Sequence, residues 1–147
     1  MNNHFLIMGI QKENSLKSDT NAVKQTIATL FDALRKGDLA LLKSLYAENM
    51  LLQSITSDKE GRAVLTSENP DHFEKIIGSP LSVVYNERVA FDEIKIEGEI
   101  ASVWAPYKFY SGDKLCHRGV DVFELKKNCT GWKIIHIIDT RQKHNCF

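Results

Sequence analysis

The sequence has no excess of either charge: nineteen Lys and Arg balance nineteen Asp and Glu over 147 residues. Without a net field or a basic stripe, neither nucleic acid nor an anionic membrane is an expected partner. Cysteine is scarce and odd in number. Cys116, Cys129 and Cys146 lack the paired spacing of a zinc site or a dense disulfide framework. No metal is expected, and three free thiols in a reducing cytoplasm are the simplest reading. Long apolar runs are also missing. Phe5-Leu6-Ile7-Met8-Gly9-Ile10 is the N-terminal apolar run, too short to span a bilayer and without the basic region and cleavage site of a signal sequence. Internal repeats, low-complexity segments, a phosphate-cradling glycine loop and a serine nucleophile elbow are all absent. A single domain without cofactor or metal is left, long enough to bury roughly 70% of its unfolded surface.

The apolar residues that are present follow regular periods. Residues 1–18 read as an N-terminal arm that can dock on the body or on a neighbouring subunit. Its polar part, 11–19, reads as a linker ending in the cap candidates Ser18, Asp19 and Thr20. Val23, Ile27, Leu30, Phe31 and Leu34 then mark one face of a helix. Gly37 stops it, and Asp38 caps a shorter helix carrying Leu39, Leu42 and Tyr46 as a stripe. Residues 50–56 form a strand, and a brief extended piece follows at 63–65. Asn69-Pro70 starts a third helix with Phe73, Ile76 and Ile77 on its buried side. Four long antiparallel strands follow, at 83–97, 100–110, 117–125 and 132–141. In the first of them Val89 and Phe91 face inward on odd positions but Ile94 and Ile96 on even ones, which predicts a bulge near Asp92 and Glu93.

The expected architecture of residues 19–147 is therefore α+β: a cone-shaped barrel in which three N-terminal helices pack on one side of a curved antiparallel sheet. Strand 117–125 decides where a pocket opens. Side chains alternate across a strand, so His117, Gly119, Asp121, Phe123 and Leu125 share a face whose one end is polar and titratable while the other is closed by large apolar groups. Asp121, facing a core, must be paired, protonated or wet, because an unpaired buried carboxylate costs several kcal/mol. His117 and Asp121 are roughly 13 Å apart along the strand, too far to form a dyad. Their expected partners come from neighbouring strands: Tyr107, on the face of Ala101, Val103, Ala105 and Phe109, and His136, which shares parity with Trp132, Ile134 and Ile138. Asp139 and Arg141 form a surface ion pair or an anion clamp. Trp104 and Tyr110 fall on the outer face and suggest a homodimer with sheets back to back. Cys116 and His117 point to opposite faces and do not form a nucleophilic pair.

The order of elements, with residues 104–110 (WAPYKFY), 117–125 (HRGVDVFEL) and 131–135 (GWKII) followed by Asp139-Thr140-Arg141, resembles the nuclear transport factor 2-like superfamily. Ketosteroid isomerase and the SnoaL-like cyclases belong to it, and within it the chain resembles the lumazine-binding group of small bacterial proteins. The resemblance runs from about residue 20 to residue 141 and implies the cystatin-like cone. The isomerase trio of a carboxylate base, a Tyr and a protonated acid has no position-by-position counterpart; Tyr107, Asp121 and Asp139 supply the residue types only.

The functional expectation is a cytoplasmic protein that holds a small apolar or aromatic molecule in the cone. Tyr107, His117 and Asp121 are the candidate catalytic residues, and Tyr46, His136, Asp139 and Arg141 the candidate ligand contacts. If the protein is an enzyme, its chemistry is cofactor-independent proton transfer next to a carbonyl, as in isomerisation, cyclisation or dehydration. The alternative is a non-catalytic dimerisation or protein-interaction module that works through the outer face.

Overall fold

The computed structural model of the chain describes residues 3–71 and 86–143. Its first element is one long helix, α1 (Asn3–Lys36). Residues 11–19 are thus helical and not a linker. Ser18, Asp19 and Thr20 cap nothing, and Thr20 Oγ1 donates to the Leu16 carbonyl inside the helix at 2.8 Å. Asp19 instead ties the helix to the sheet, its Oδ1 accepting from Trp132 Nε1 at 3.2 Å and from Lys127 Nζ at 2.8 Å. Val23, Ile27, Leu30, Phe31 and Leu34 are buried beyond that anchor. Before it Phe5, Leu6, Ile7, Met8 and Ile10 are exposed, so the apolar run is not buried against the described residues.

Gly37 ends α1 at a φ of 67°, a backbone region that costs glycine nothing. Asp38 then caps α2 (Leu39–Ser44) by accepting the Leu41 N–H at 3.0 Å. The second helix is shorter than its apolar stripe suggests, because Tyr46 already opens β1 (Tyr46–Ser57). β2 (Ala63–Glu68) pairs with β1. The third expected helix, at residues 70–77, lies outside the described residues apart from its start, where Asn69 Oδ1 accepts the Asp71 N–H at 3.0 Å.

The remaining strands are β3 (Asn86–Val89), β4 (Glu93–Glu97), β5 (Ile100–Ser111), β6 (Lys114–Asn128), β7 (Gly131–Thr140) and β8 (Gln142–Lys143). They lie in the order β2-β1-β7-β6-β5-β3, with β4 beside β5 and β8 beside β6. The sheet is curved and does not close into a barrel among the described residues. It is also not wholly antiparallel, since β1 runs parallel to β7. The predicted bulge splits one long strand in two. Val89 pairs with Tyr107 but Glu93 with Trp104, so one extra residue lies between β3 and β4. Val89 and Ile94 thereby face the same side.

Cys116 is buried and disulfide-bonded, while Cys129 is free and exposed. The expectation of three free thiols is corrected: sequence spacing cannot show which Cα atoms the fold brings within bonding range. Disulfides persist in oxidising compartments, so the thiol argument for a cytoplasmic location loses its support. No helix among the described residues is long and apolar enough to cross a membrane.

Candidate functional site

The concave face of the sheet is built from two cross-strand ladders. Leu125, Phe123, Asp121, Gly119 and His117 of β6 stand opposite Ala101, Val103, Ala105, Tyr107 and Phe109 of β5. One end is filled with hydrocarbon. Phe123 and Leu125 are buried there under Leu30, Phe31 and Leu34 of α1, and the Phe31 and Phe123 rings meet edge to face at 6.2 Å. The other end is polar. Asp139 of β7 stands opposite Asp121 and beside Ser54 of β1, and β3 brings in Glu87 opposite Phe109.

These groups form two adjoining networks. In the first, Asp139 accepts from the Ser54 hydroxyl through Oδ1 and from Arg141 Nε through Oδ2, the latter at 3.0 Å. Asp121 lies next to this pair, 5% exposed, and hydrogen-bonds through its carboxyl to Glu87, which is also buried. Burial raises Asp121 well above the usual carboxylate range, the charges of Glu87 and Asp139 and the Glu87 hydrogen bond raise it further, and Arg141 opposes them weakly. Two buried carboxyls in contact hold one proton between them, because both cannot ionise at such short range. Burial alone would lower Arg141. The charge and hydrogen bond of Asp139 outweigh it and lift Arg141 above its ordinary value, so the guanidinium stays charged.

In the second network, Tyr107 Oη donates to the Thr140 carbonyl at 2.8 Å and lies 3.2 Å from His117 Nδ1. The His117 ring is stacked on Phe109 at 4.6 Å between centroids. Burial, then the charges of Asp139, Asp121 and Glu87, push the Tyr107 phenol far above its normal value. Tyr107 is therefore a neutral hydroxyl, able to donate a hydrogen bond but not to act as a base. Gly119 makes the tyrosine contact possible: a Cβ there would stand 1.9 Å from the Thr140 carbonyl oxygen.

The structure brings Tyr107, His117, Asp121, Asp139 and Arg141 to one end of the concave face. Asp139 and Arg141 are less exposed than a surface ion pair, with side chains 14% and 35% accessible. His136 is elsewhere. β7 carries an extra residue between Ile134, which pairs with Leu125, and His136, which pairs with Glu124. The parity shift sends His136 to the outer face, where its Nε2 meets Gln53 Oε1 at 2.9 Å. Tyr46 is also remote, because it pairs with Ile134 while Ser54 pairs with Asp139, about 16 Å apart along β7 at ~3.3 Å per residue. Glu87 and Ser54 were missed, although simple alternation reaches both. Glu87 is two residues before the inward-facing Val89, and Ser54 continues the buried series of Met50 and Leu52. Among the described residues no group of three His, Cys, Asp or Glu is placed to hold a metal ion.

Solved structures with this arrangement of helices and curved sheet exist at low sequence identity. An NTF2-like protein with a cystatin-like fold from Novosphingobium aromaticivorans matches with a TM-score of 0.72 at 12% identity, over 95% of this chain and 91% of that one. The fold is NTF2-like. A candidate dehydratase of the NTF2-like family from Streptomyces avermitilis matches at 0.61 and 14% identity, over 87% and 99% of the two chains. The CaMKII hub of S. rosetta matches at 0.60 and 20% identity, over 82% and 98%. No family model matches the sequence, and no curated protein sequence matches it. The NTF2-like cone is thus shared with proteins of different use, and what this chain does with it rests on its own side chains.

Proposed function

We propose that the polar end of the cone is an acid/base site for a small molecule with an apolar or aromatic body. The observation that carries this reading is the Asp121–Glu87 carboxyl pair, buried on the concave face beside the neutral Tyr107 hydroxyl and His117. A structural core has no need of a carboxyl pair that must hold a proton to stay buried. A proton-transfer site gains from one, because the pair can give a proton or take it back with little change around it. The favoured chemistry is proton transfer next to a carbonyl, as in isomerisation, cyclisation or dehydration. The Asp121–Glu87 pair is its acid/base group. The Tyr107 hydroxyl, once its one proton turns from the Thr140 carbonyl, is the hydrogen-bond donor to developing negative charge, with His117 beside it. Asp139, held by Ser54 and Arg141, fixes the field in which the pair titrates. The structural likeness to a candidate dehydratase agrees with this class of reaction. The sequence resemblance to the lumazine-binding group adds flat heteroaromatic compounds to those worth testing.

The experiment is a thermal-shift screen of flat heteroaromatic and cyclic ketone compounds against the native protein, Asp121→Asn and His117→Gln. A compound that stabilises the native protein and loses most of that effect in both variants supports the site. Compounds that stabilise all three equally refute it.

A second reading has its own observation. Trp104 is 49% exposed on the outer face, and Leu51, another large apolar residue, is also exposed. Such a surface is suited to a homodimer with sheets back to back, and the match to the CaMKII hub agrees with a use of this fold in association. Tyr110, the other residue expected there, is covered by the Arg88 guanidinium at 4.3 Å, which leaves Trp104 as the anchor of such an interface.

A further inference from the structure

On the face of the sheet opposite the carboxyl pair, three cations stand in one row. Arg88 of β3 is the cross-strand partner of Lys108 of β5, Lys108 is the partner of Arg118 of β6, and Arg118 is the partner of Gln142 of β8. With strands ~4.8 Å apart, the three charges span about 10 Å. Like charges placed directly opposite each other destabilise a sheet, and one such pair would be unremarked on a solvated face. Two in succession, in a chain whose net charge is zero, concentrate positive charge at one spot. None of the three is ion-paired to a carboxylate among the described residues. Arg88 lies over the Tyr110 ring, Arg118 Nε donates to Gln142 Oε1 at 3.3 Å, and Lys108 has no such contact.

The row also borders a concavity. A groove of about 530 Å³ is lined by Arg88, Lys108, Arg118 and Gln142 and by the apolar Ala90, Pro106 and Val120, and also by Val89, Tyr107, Gly119 and Thr140 of the inward-facing series. Pro106 and Val120 are themselves cross-strand partners, so they form an apolar shelf next to the charged row. The groove is large enough for a small organic molecule.

We infer that this outer groove binds a phosphorylated small molecule, its phosphate or diphosphate held across the Arg88–Lys108–Arg118 row and its carbon body lying on Pro106 and Val120. Guanidinium forks suit phosphate oxygens, and a lysine between them adds a point charge. A row of three cations exceeds what one carboxylate needs and fits a group of charge two or more. Asp121 and Glu87 do not line this groove, although Tyr107, Gly119 and Thr140 of the adjoining network do.

The test is calorimetric titration of the native protein with inorganic pyrophosphate, with orthophosphate and malonate as comparison anions and Lys108→Gln, Arg118→Gln and Lys12→Gln as variants. The expected result is saturable 1:1 binding of pyrophosphate, tighter than malonate, weakened roughly tenfold or more by Lys108→Gln and by Arg118→Gln and unchanged by Lys12→Gln. No saturable binding, malonate binding as tight as pyrophosphate, or equal weakening by all three variants would overturn it. Thermal melts without added anion supply a second check. Relief of like-charge repulsion should leave Lys108→Gln melting at or above the native temperature, and a lower temperature would show that the row serves the fold.

Discussion

Gly119→Ala is the sharpest single perturbation of the polar end of the cone. The added methyl would meet the Thr140 carbonyl oxygen at 1.9 Å, its carbon at 2.8 Å and Thr140 Oγ1 at 3.0 Å. The nearest atom is backbone, so no side-chain rotation relieves the overlap. To restore an ordinary separation the 139–141 segment must move by about an ångström or more. That movement breaks the Tyr107 Oη–Thr140 carbonyl hydrogen bond at 2.8 Å and strains the Val120 N–H to Thr140 Oγ1 bond at 3.2 Å. Forcing a methyl into a packed site costs about 1–3 kcal/mol, and leaving the buried Tyr107 hydroxyl with a weakened partner costs about 1–3 kcal/mol more. The sum is a loss of roughly 2–6 kcal/mol, to be read from urea unfolding by the shift in midpoint at constant slope. Gly9→Ala is the control: nothing lies within 4 Å of its added Cβ in α1, so it should leave stability unchanged or raise it by roughly 0.5–1 kcal/mol. A Gly119→Ala variant within about 0.5 kcal/mol of the native protein would refute the close approach of the two strands.

Asp121 is raised in the folded protein by burial and then by Glu87 and Asp139. A group raised on folding contributes stability that is complete below its unfolded value, about 4, and is lost as pH rises through the folded value. Asp121→Asn has no proton to lose there, so its urea midpoint should fall less than that of the native protein as pH rises above about 4; parallel profiles would contradict the assignment. Alkylation of the urea-unfolded protein without reductant should modify Cys129 but not Cys116, and all three cysteines after reduction; a labelled Cys116 before reduction would rule out its disulfide. Trp104→Glu should shift any self-association measured by sedimentation toward the monomer while leaving the fold intact, since Trp104 is half-exposed; an unchanged association constant would remove the outer face from the interface.

The helical face from Val23 to Leu34, the Gly37 stop, the Asp38 cap and the bulge before Ile94 were all legible, because each depends on neighbours within a few residues. The alternation of β5 and β6 was legible for the same reason, and it placed Tyr107, His117 and Asp121 on one face. What local pattern could not supply was register between distant strands. The extra residue at Ile135 reversed the facing of His136, and pairing with β7, which runs parallel to β1 from the far end of the chain, drew Tyr46 into a strand. Asp19 reads locally as a cap. Its real partners, Lys127 and Trp132, are more than one hundred residues away, and only the fold brings them together. Glu87 was within reach of simple alternation from Val89, yet nothing local says that a glutamate will face a buried aspartate.

The central claim, that Asp121 and Glu87 share a proton on the concave face, is tested most directly by a carbon-13 NMR titration of the side-chain carboxyls. Spectra of the native protein and of Glu87→Gln would be compared. Asp121 should stay protonated well above the usual carboxylate range in the native protein and move toward that range once Glu87 no longer carries a charge. An Asp121 that titrates at an ordinary carboxylate value, or that Glu87→Gln leaves unmoved, would contradict the shared proton and the acid/base site built on it.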